Sequence, residues 1–436
     1  MSSGRKTEPV RFAEAVAELE DRQPEHLPKP DLERMRALAV LLADPQLTYP
    51  TIHVTGTNGK TTTARLAAAV ACAHGLTTGL FTSPHLASVT ERFELCGEPI
   101  AEEAFGDEFE RLLAFVRTVD ERVGRVTYFE TLTAFAYLWF ADAPVAVGVF
   151  EVGMGGTWDA TNLVSGDVAV LCPIGMDHPE LGSTIAEVAG EKAGIIKQGK
   201  VAVAREQTAE ALQVIERRCE EQIATLLLEG REWELDDLTP AVGGQAMAVR
   251  GLHATYDEVL LPIHGEHAAH NAAAAVVAVE ALLERALDPD AVRVALGSMT
   301  SPGRLEVVSR RPLIVLDGAH NPAAAEALAE ALPDTFTGDR LHLVMGVFAD
   351  KDLEGIVRPL APLADAGYAS AVDSVRARPP EAVADAMAAA GIPTEAFATV
   401  REALDAARDA ASADDLILVT GSLYTVAEAR RVLLGA

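Results

Sequence analysis

Residues 51–63, TIHVTGTNGKTTT, leave this chain few folds to choose from. A β-branched run enters a turn with two glycines, then a lysine and three threonines, and leaves through the Ala-rich stretch ARLAAAVACAHG. That order is strand, glycine turn, amphipathic helix, and it suits a phosphate. Gly56 and Gly59 let the backbone turn sharply and present its N–H groups. The helix N-terminus adds partial positive charge, Lys60 can reach outer phosphates, and Thr61 or Thr62 can offer a hydroxyl. The strict GxxxxGK[ST] spacing is not met, because Val54 stands where the first glycine belongs. The plain alternative is a glycine-rich turn carrying an exposed lysine.

The rest of the chain repeats the strand–helix rhythm. Runs at 51–55, 145–150 (VAVGVF), 168–171 (VAVL) and 201–204 (VAVA) alternate with Ala-, Leu- and Glu-rich stretches. Such alternation predicts a parallel sheet covered by helices. Segment 229–265 breaks the rhythm with short apolar runs and reads as a small antiparallel patch. A long Ala-rich helix is expected from about His267 to Ala286. Ser301-Pro302-Gly303 then punctuates the chain, and the alternation restarts at 313–317, 341–346, 366–372 and 416–421. The expectation is an α/β protein of two domains, 1–300 and 301–436. Thr131 to Phe150 is almost uncharged, but Asp142 and Pro144 interrupt it. It reads as a buried helix and a buried strand, not a membrane span.

Charge narrows the partners. Acidic residues number 65 and basic residues 36, for a net charge of −29. A field of that sign repels nucleic acid and anionic membranes, so neither is an expected partner. An anionic ligand would need local cations. The four cysteines, Cys72, Cys96, Cys172 and Cys219, form no CxxC pair. They are expected as small buried apolar residues, not as a disulfide scaffold or zinc site. The N-terminal stretch has no apolar signal core, and the expected location is cytoplasmic.

Several chemistry-bearing residues fall where strands end, the edge that faces ligands in such sheets. Glu151 opens EVGMGG and can hold a cation, with Asp159 and Thr161 in the same loop. Asp177-His178 ends the next strand and suits another metal position. Glu151 as a capped surface acid and His178 as a satisfied loop histidine are the alternatives. Ser83, in SPH, could also reach a cation. Lys192 and Lys197, in GEKAGIIK, are read on a helix from about Ser183, where two exposed lysines are the plain alternative. Later, Asp317 to Pro322 (DGAHNP) again sits between strand and helix. Arg304, in SPGRLE, could swing onto phosphates or be a surface arginine.

Taken in order, these segments resemble the folylpolyglutamate synthase/dihydrofolate synthase family of the Mur ligase superfamily. The shared blocks are GTNGKTT, TSPHL with ERF, TYFE, EVGMGGTWDATN, GMDH, EKAGIIK, PGRLE, LDGAHNP, ADKD and TGSLYTVAEAR. The first is common to the superfamily; TSPHL, the GG-x-x-DATN loop and TGSLY point to the folate branch. Thr61 stands where that branch usually has glycine, and Ala268 where it commonly has glutamine.

The resemblance implies a P-loop-containing Mur-ligase-type domain with a mostly parallel sheet and a smaller Rossmann-like α/β C-terminal domain. It implies ATP-dependent addition of L-glutamate to dihydropteroate, to reduced folates, or to both, through an acyl phosphate. Thr57, Asn58, Gly59, Lys60, Thr61, Asn271, Arg304 and Asp317 are the expected ATP contacts. Ser83, Glu151 and His178 would hold two magnesium ions, and Lys192 matches a lysine that is carbamylated. Lys60, Lys192, His178 and Arg304 are the expected catalytic residues. Thr127, Tyr128, Phe129 and Glu130, with Asp159, Ala160 and Thr161, match the pterin-substrate segments. Arg92, His320 and Ser422 are candidates for the glutamate. A monomer is implied. The runner-up is a cell-wall peptide ligase, expected to place a UDP-binding domain of about 100 residues before the phosphate loop. A nucleotide-dependent switch is expected to lack Lys192 and Arg304.

Overall fold

A computed structural model describes residues 8–24, 31–176, 179–241, 243–300 and 302–435. These residues divide between two compact units. One holds those within 1–237, 247–260 and 270–298, and the other those within 238–246, 261–269 and 299–436. Two short segments before residue 299 therefore group with the C-terminal part of the chain.

The first unit is built on an eight-stranded sheet. Its strands are β1 (Thr51–Thr55), β2 (Thr78–Phe81), β3 (Phe93–Leu95), β4 (Glu98–Pro99), β5 (Val147–Glu151), β6 (Val168–Leu171), β7 (Val201–Ala204) and β8 (Thr225–Leu228). Their order is β4-β3-β2-β5-β1-β6-β7-β8. From β2 to β8 every neighbouring pair is parallel, and β3 and β4 add an antiparallel edge. The central strands are buried along their whole length. That explains why they read as continuous apolar runs, since helices cover both faces of a parallel sheet. The nearly uncharged stretch resolves into the helix Tyr128–Asp142 and strand β5. No helix among the described residues is long and apolar enough to cross a membrane.

β1 lies between β5 and β6 although it precedes both in sequence. Val54 pairs with Glu151, and Thr55 pairs with Leu171. The connections diverge there, and this opens a crevice at the carboxyl ends of the strands. The loop after β1 enters that crevice.

Segment 234–261 forms a separate three-stranded sheet in the order β11-β10-β9, from β9 (Glu234–Ala241), β10 (Gly244–Arg250) and β11 (Thr255–Leu261). The Ala-rich helix follows at Glu266–Leu283. The second unit carries six strands, β12 (Glu306–Arg310), β13 (Leu313–Leu316), β14 (Leu341–Met345), β15 (Ala366–Ser370), β16 (Thr394–Phe397) and β17 (Leu416–Thr420), in the order β12-β13-β17-β14-β15-β16. All its pairs are parallel except β12 with β13.

The expectation for two of the cysteines fails. Cys72 and Cys96 are joined as a disulfide, with Cα atoms 5.6 Å apart. The antiparallel return of β3 beside β2 brings Cys96 back to the end of the helix that carries Cys72. Cys172 and Cys219 are free and buried, as expected.

Candidate active site

The phosphate loop sits at the carboxyl end of β1. Gly59 is the N-cap of the helix Lys60–Ala73 with φ of 87°, a conformation that glycine adopts without steric penalty. Lys60 Nζ donates to the carbonyls of Gly56 (3.0 Å) and Thr57 (3.2 Å). The Thr57 hydroxyl is engaged with the backbone of Gly175, donating to its carbonyl and accepting from its N–H, both at 3.1 Å. Asn58 and Gly59 remain partly exposed at the loop's tip.

Glu151 ends β5 and is 2% exposed. Its Oε1 accepts from the Thr61 hydroxyl (2.7 Å) and its Oε2 from the Ser83 N–H (3.0 Å). One buried carboxylate and two hydroxyl residues thus meet beside the loop. Magnesium prefers oxygen ligands, and a carboxylate with two hydroxyl side chains offers that chemistry, so the residues present fit that ion. His178, the other expected ligand, lies outside the described residues, as does Asp177. Among the described residues no group of three or more acid, histidine or cysteine side chains is placed to hold a metal ion.

Lys192 is 1% exposed, not one of two lysines on an open helix face. Its Nζ donates to the Gly56 carbonyl at 2.9 Å, so it reaches the phosphate loop across 136 residues of sequence. The helix ends at Lys192 and a short 3-10 turn follows. Lys197 therefore lies beyond the helix. It donates to the Asn162 carbonyl (2.8 Å) and Oδ1 (2.7 Å), and burial, with Arg218 second, lowers its pKa to about 8. The EVGMGG loop packs directly on the Lys192 segment. A Cβ on Gly156 would lie 2.7 Å from the carbonyl oxygens of both Glu191 and Lys192.

The DAT segment is internally bonded. Asp159 accepts from the N–H groups of Met154 and Thr161, both at 2.9 Å, and from the Thr161 hydroxyl. The same hydroxyl accepts from His53 Nε2 at 2.8 Å. Burial, with Lys197 second, holds His53 well below its ordinary pKa, so the ring is neutral. The Ala160 carbonyl accepts from the Tyr137 hydroxyl. In TYFE, Thr127 caps the helix Tyr128–Asp142, and Phe129 fills the space left open at Gly153. The Arg92 guanidinium lies 5.5 Å from the Tyr128 ring centroid, and its Nε donates to His85 Nδ1. Glu130 is committed otherwise. Its carboxylate takes three hydrogen bonds from Arg34, at 2.8–3.1 Å, and one from the Thr127 N–H.

Asn271 is 2% exposed, and its carboxamide lies against the phosphate loop. A Cβ on Gly59 would come within 2.8 Å of Asn271 Nδ2. Asn271 Oδ1 accepts from Arg205 Nη1 at 2.8 Å. Sequence reasoning passed over Arg205. The signal was available, because Arg205 directly follows β7 and strand ends had already singled out Glu151.

The second unit gathers its own residues at the carboxyl edge of its sheet. Asp317 follows β13 and accepts from the N–H groups of Leu305 and Ala319, both at 2.9 Å. Burial pushes its carboxyl up, while Arg304 and those two N–H groups pull it back. His320 Nδ1 donates to the Gly318 carbonyl. Ser422 caps the helix Leu423–Leu434, accepting from the Thr425 N–H at 3.0 Å. The structure thus places Arg304, Asp317, His320 and Ser422 around the ends of β13 and β17.

Known proteins resemble this chain over nearly its whole length. Residues 54–279 match the Mur ligase middle domain, and 303–423 the Mur ligase glutamate ligase domain. A dihydrofolate synthase/folylpolyglutamate synthase of Mycobacterium tuberculosis is 40% identical over 446 residues, covering 94% of this chain and 92% of that protein. Its counterpart in Bacillus subtilis is 33% identical, over 93% and 95% of the two chains. Among solved structures, Mycobacterium tuberculosis folylpolyglutamate synthase complexed with ADP superposes with a TM-score of 0.93 at 39% identity, covering 98% of this chain and 99% of that one. E. coli FolC in complex with DHPP and ADP gives 0.88 at 31% identity, over 97% and 98%. With the phosphate loop, the buried lysine and the strand-end carboxylate in place, and with relatives that match nearly end to end, the chain belongs to the dihydrofolate synthase/folylpolyglutamate synthase family of Mur ligases.

Proposed function

We propose that this chain is an ATP-dependent amide ligase that joins L-glutamate to dihydropteroate and to reduced folates. The observation that carries the reading is the meeting of Lys60, Lys192 and the Glu151–Thr61–Ser83 set at the carboxyl end of β1. A substrate carboxylate oxygen attacks the γ-phosphorus of ATP, ADP leaves, and an acyl phosphate forms. The glutamate amine then attacks the acyl carbon, loses a proton, and phosphate departs. Phosphoryl transfer asks mainly for positioning and charge neutralisation. The loop N–H groups and Lys60 supply both, and magnesium held by Glu151, Thr61 and Ser83, with His178 for a second ion, would add neutralising charge. Asn58, Gly59, Thr57 and Asn271 are the proposed nucleotide contacts in the first unit, and Arg304 and Asp317 those in the second. Thr127, Tyr128, Phe129 and the 159–161 turn are proposed for the pterin, and Arg92, His320 and Ser422 for glutamate. The working form is proposed as a cytoplasmic monomer.

Lys192 is proposed to act as a carbamate. Carbon dioxide adds to the neutral amine and a proton leaves. The nitrogen keeps one hydrogen, enough to continue donating to the Gly56 carbonyl. Lys192→Ala is expected to lose activity and keep ADP affinity, with partial rescue by a short carboxylic acid; full activity in that variant overturns the carbamate role. The reaction itself is tested by ATP-dependent phosphate release with L-glutamate, comparing 7,8-dihydropteroate with a reduced folate monoglutamate. Turnover of both supports the bifunctional reading. Turnover of one assigns a single step. Silence with both, alongside intact ADP binding, moves the chain to another amide ligase of the superfamily.

A further inference from the structure

One buried charged group at the edge of the first sheet has no part in the chemistry above. Arg205 follows β7 two strands from β1, and the residue is 7% exposed. Its Nη1 donates to Asn271 Oδ1 at 2.8 Å and its Nε to Glu229 Oε2 at 3.3 Å. Glu229 is fixed in turn. The same Oε2 accepts from the Glu206 N–H at 2.8 Å, and Oε1 is hydrogen-bonded to His270 Nδ1. Burial works against the Glu229 charge, yet His270 and Arg205 hold its carboxyl below the ordinary value.

The contact decides which way the asparagine faces. A guanidinium has only donors, so the Asn271 atom it touches is the oxygen. Both ends of the carboxamide lie against Gly59, where a Cβ would fall 2.8 Å from Nδ2 and 2.9 Å from Oδ1; with Oδ1 held by Arg205, Nδ2 is the donor left to present at the N-cap of the phosphate-loop helix. Glu229 offsets the arginine charge, so Arg205 directs its neighbour and adds little to the pull on an anion. We infer that Arg205, braced by Glu229, is a positioning residue that holds the Asn271 carboxamide with Nδ2 presented as hydrogen-bond donor to a nucleotide acceptor atom. The inference rests on the nucleotide site proposed above and adds the device that orients it.

The test is a double-mutant cycle read by calorimetric titration of ADP into the full chain. Arg205→Met and Glu229→Gln are each expected to weaken ADP about tenfold, the scale of one lost hydrogen bond. KM for ATP should rise, with KM for folate acceptor and glutamate unchanged. In an Asn271→Ala background, Arg205→Met should cause no further loss. Arg205→Lys, which keeps a donor, should recover part of the affinity. Unchanged ADP affinity in Arg205→Met overturns the inference, and so does a full tenfold loss in the Asn271→Ala background. If Arg205→Met does not fold, Glu229→Gln runs the same cycle. A wild-type chain that binds ADP but ligates no glutamate defeats the proposed function and leaves the cycle to decide this inference. A wild-type chain with no ADP affinity overturns it.

Discussion

Replacing Glu130 with alanine should cost the first unit about 4 kcal/mol of stability. The carboxylate is 7% exposed at its side chain and the Arg34 guanidinium 10%, so both charges lie out of water. Removing one partner of a buried pair costs about 3–5 kcal/mol, because the other charge is left uncompensated. Here the loss falls at the low end, since Arg34 keeps the half-exposed Asp31 at 3.0 Å. Losing the capping bond to the Thr127 N–H adds about 1 kcal/mol. Urea unfolding followed by tryptophan fluorescence is the assay. Trp139, Trp158 and Trp233 are the chain's three tryptophans, and all lie in the first unit, so the signal reports that unit alone. Stability comes from the linear extrapolation. The pair Arg34→Met with Glu130→Leu should recover most of the loss, because a buried ion pair replaced by apolar residues is often neutral. A loss below about 1 kcal/mol in Glu130→Ala, together with a raised KM for the folate acceptor, would refute the structural role and return Glu130 to the pterin site.

Gly156→Ala forces a methyl group against two backbone carbonyl oxygens at 2.7 Å; a loss of about 1–3 kcal/mol is expected, with activity falling through displacement of Lys192 while ADP affinity holds, as calorimetry would check. His53 is neutral when folded and charges when unfolded, so the unfolded state binds the extra proton. Stability therefore rises with pH up to the ordinary value of 6.5, by about 1.4 kcal/mol per unit; the difference between wild type and His53→Gln in a pH series of unfolding curves should show that slope below 6.5 and none above. Reducing the Cys72–Cys96 bond frees a span of 24 residues, and the closure entropy predicts a loss of roughly 3 kcal/mol; equal melting temperatures with and without a thiol reductant would contradict it.

What could be read in advance follows the range of the interactions. The phosphate loop is local, a strand, two glycines and a helix within 13 residues, and strand ends identify Glu151 and Asp317 because each β-run stops at them. The TYFE helix start is also local, as the capping pattern Thr127 to Glu130 shows. Contacts made by topology are not. Lys192 reaches Gly56 across 136 residues and Arg34 reaches Glu130 across 96, and no periodicity encodes which segments the sheet brings together. The cysteine pair belongs to the same class. Spacing said nothing of a hairpin that returns Cys96 to Cys72. The position of Lys197 failed for a different reason, because GEKAGIIK keeps a helical pattern past the point where the helix stops.

The order of strands in the second sheet bears on how the chain is made. β17 comes after all the other strands of this sheet in sequence, yet it lies between β13 and β14 and pairs with both in parallel. Until residue 420 has left the ribosome, β12 with β13 and β14 with β15 and β16 are two fragments, each with an open apolar edge. Such edges invite wrong pairing, and contacts this distant in sequence close slowly. The sheet of the second unit therefore cannot close before β17 is available to join its two parts. A ribosome stalled before residue 416 would carry a finished phosphate loop and an unclosed sheet.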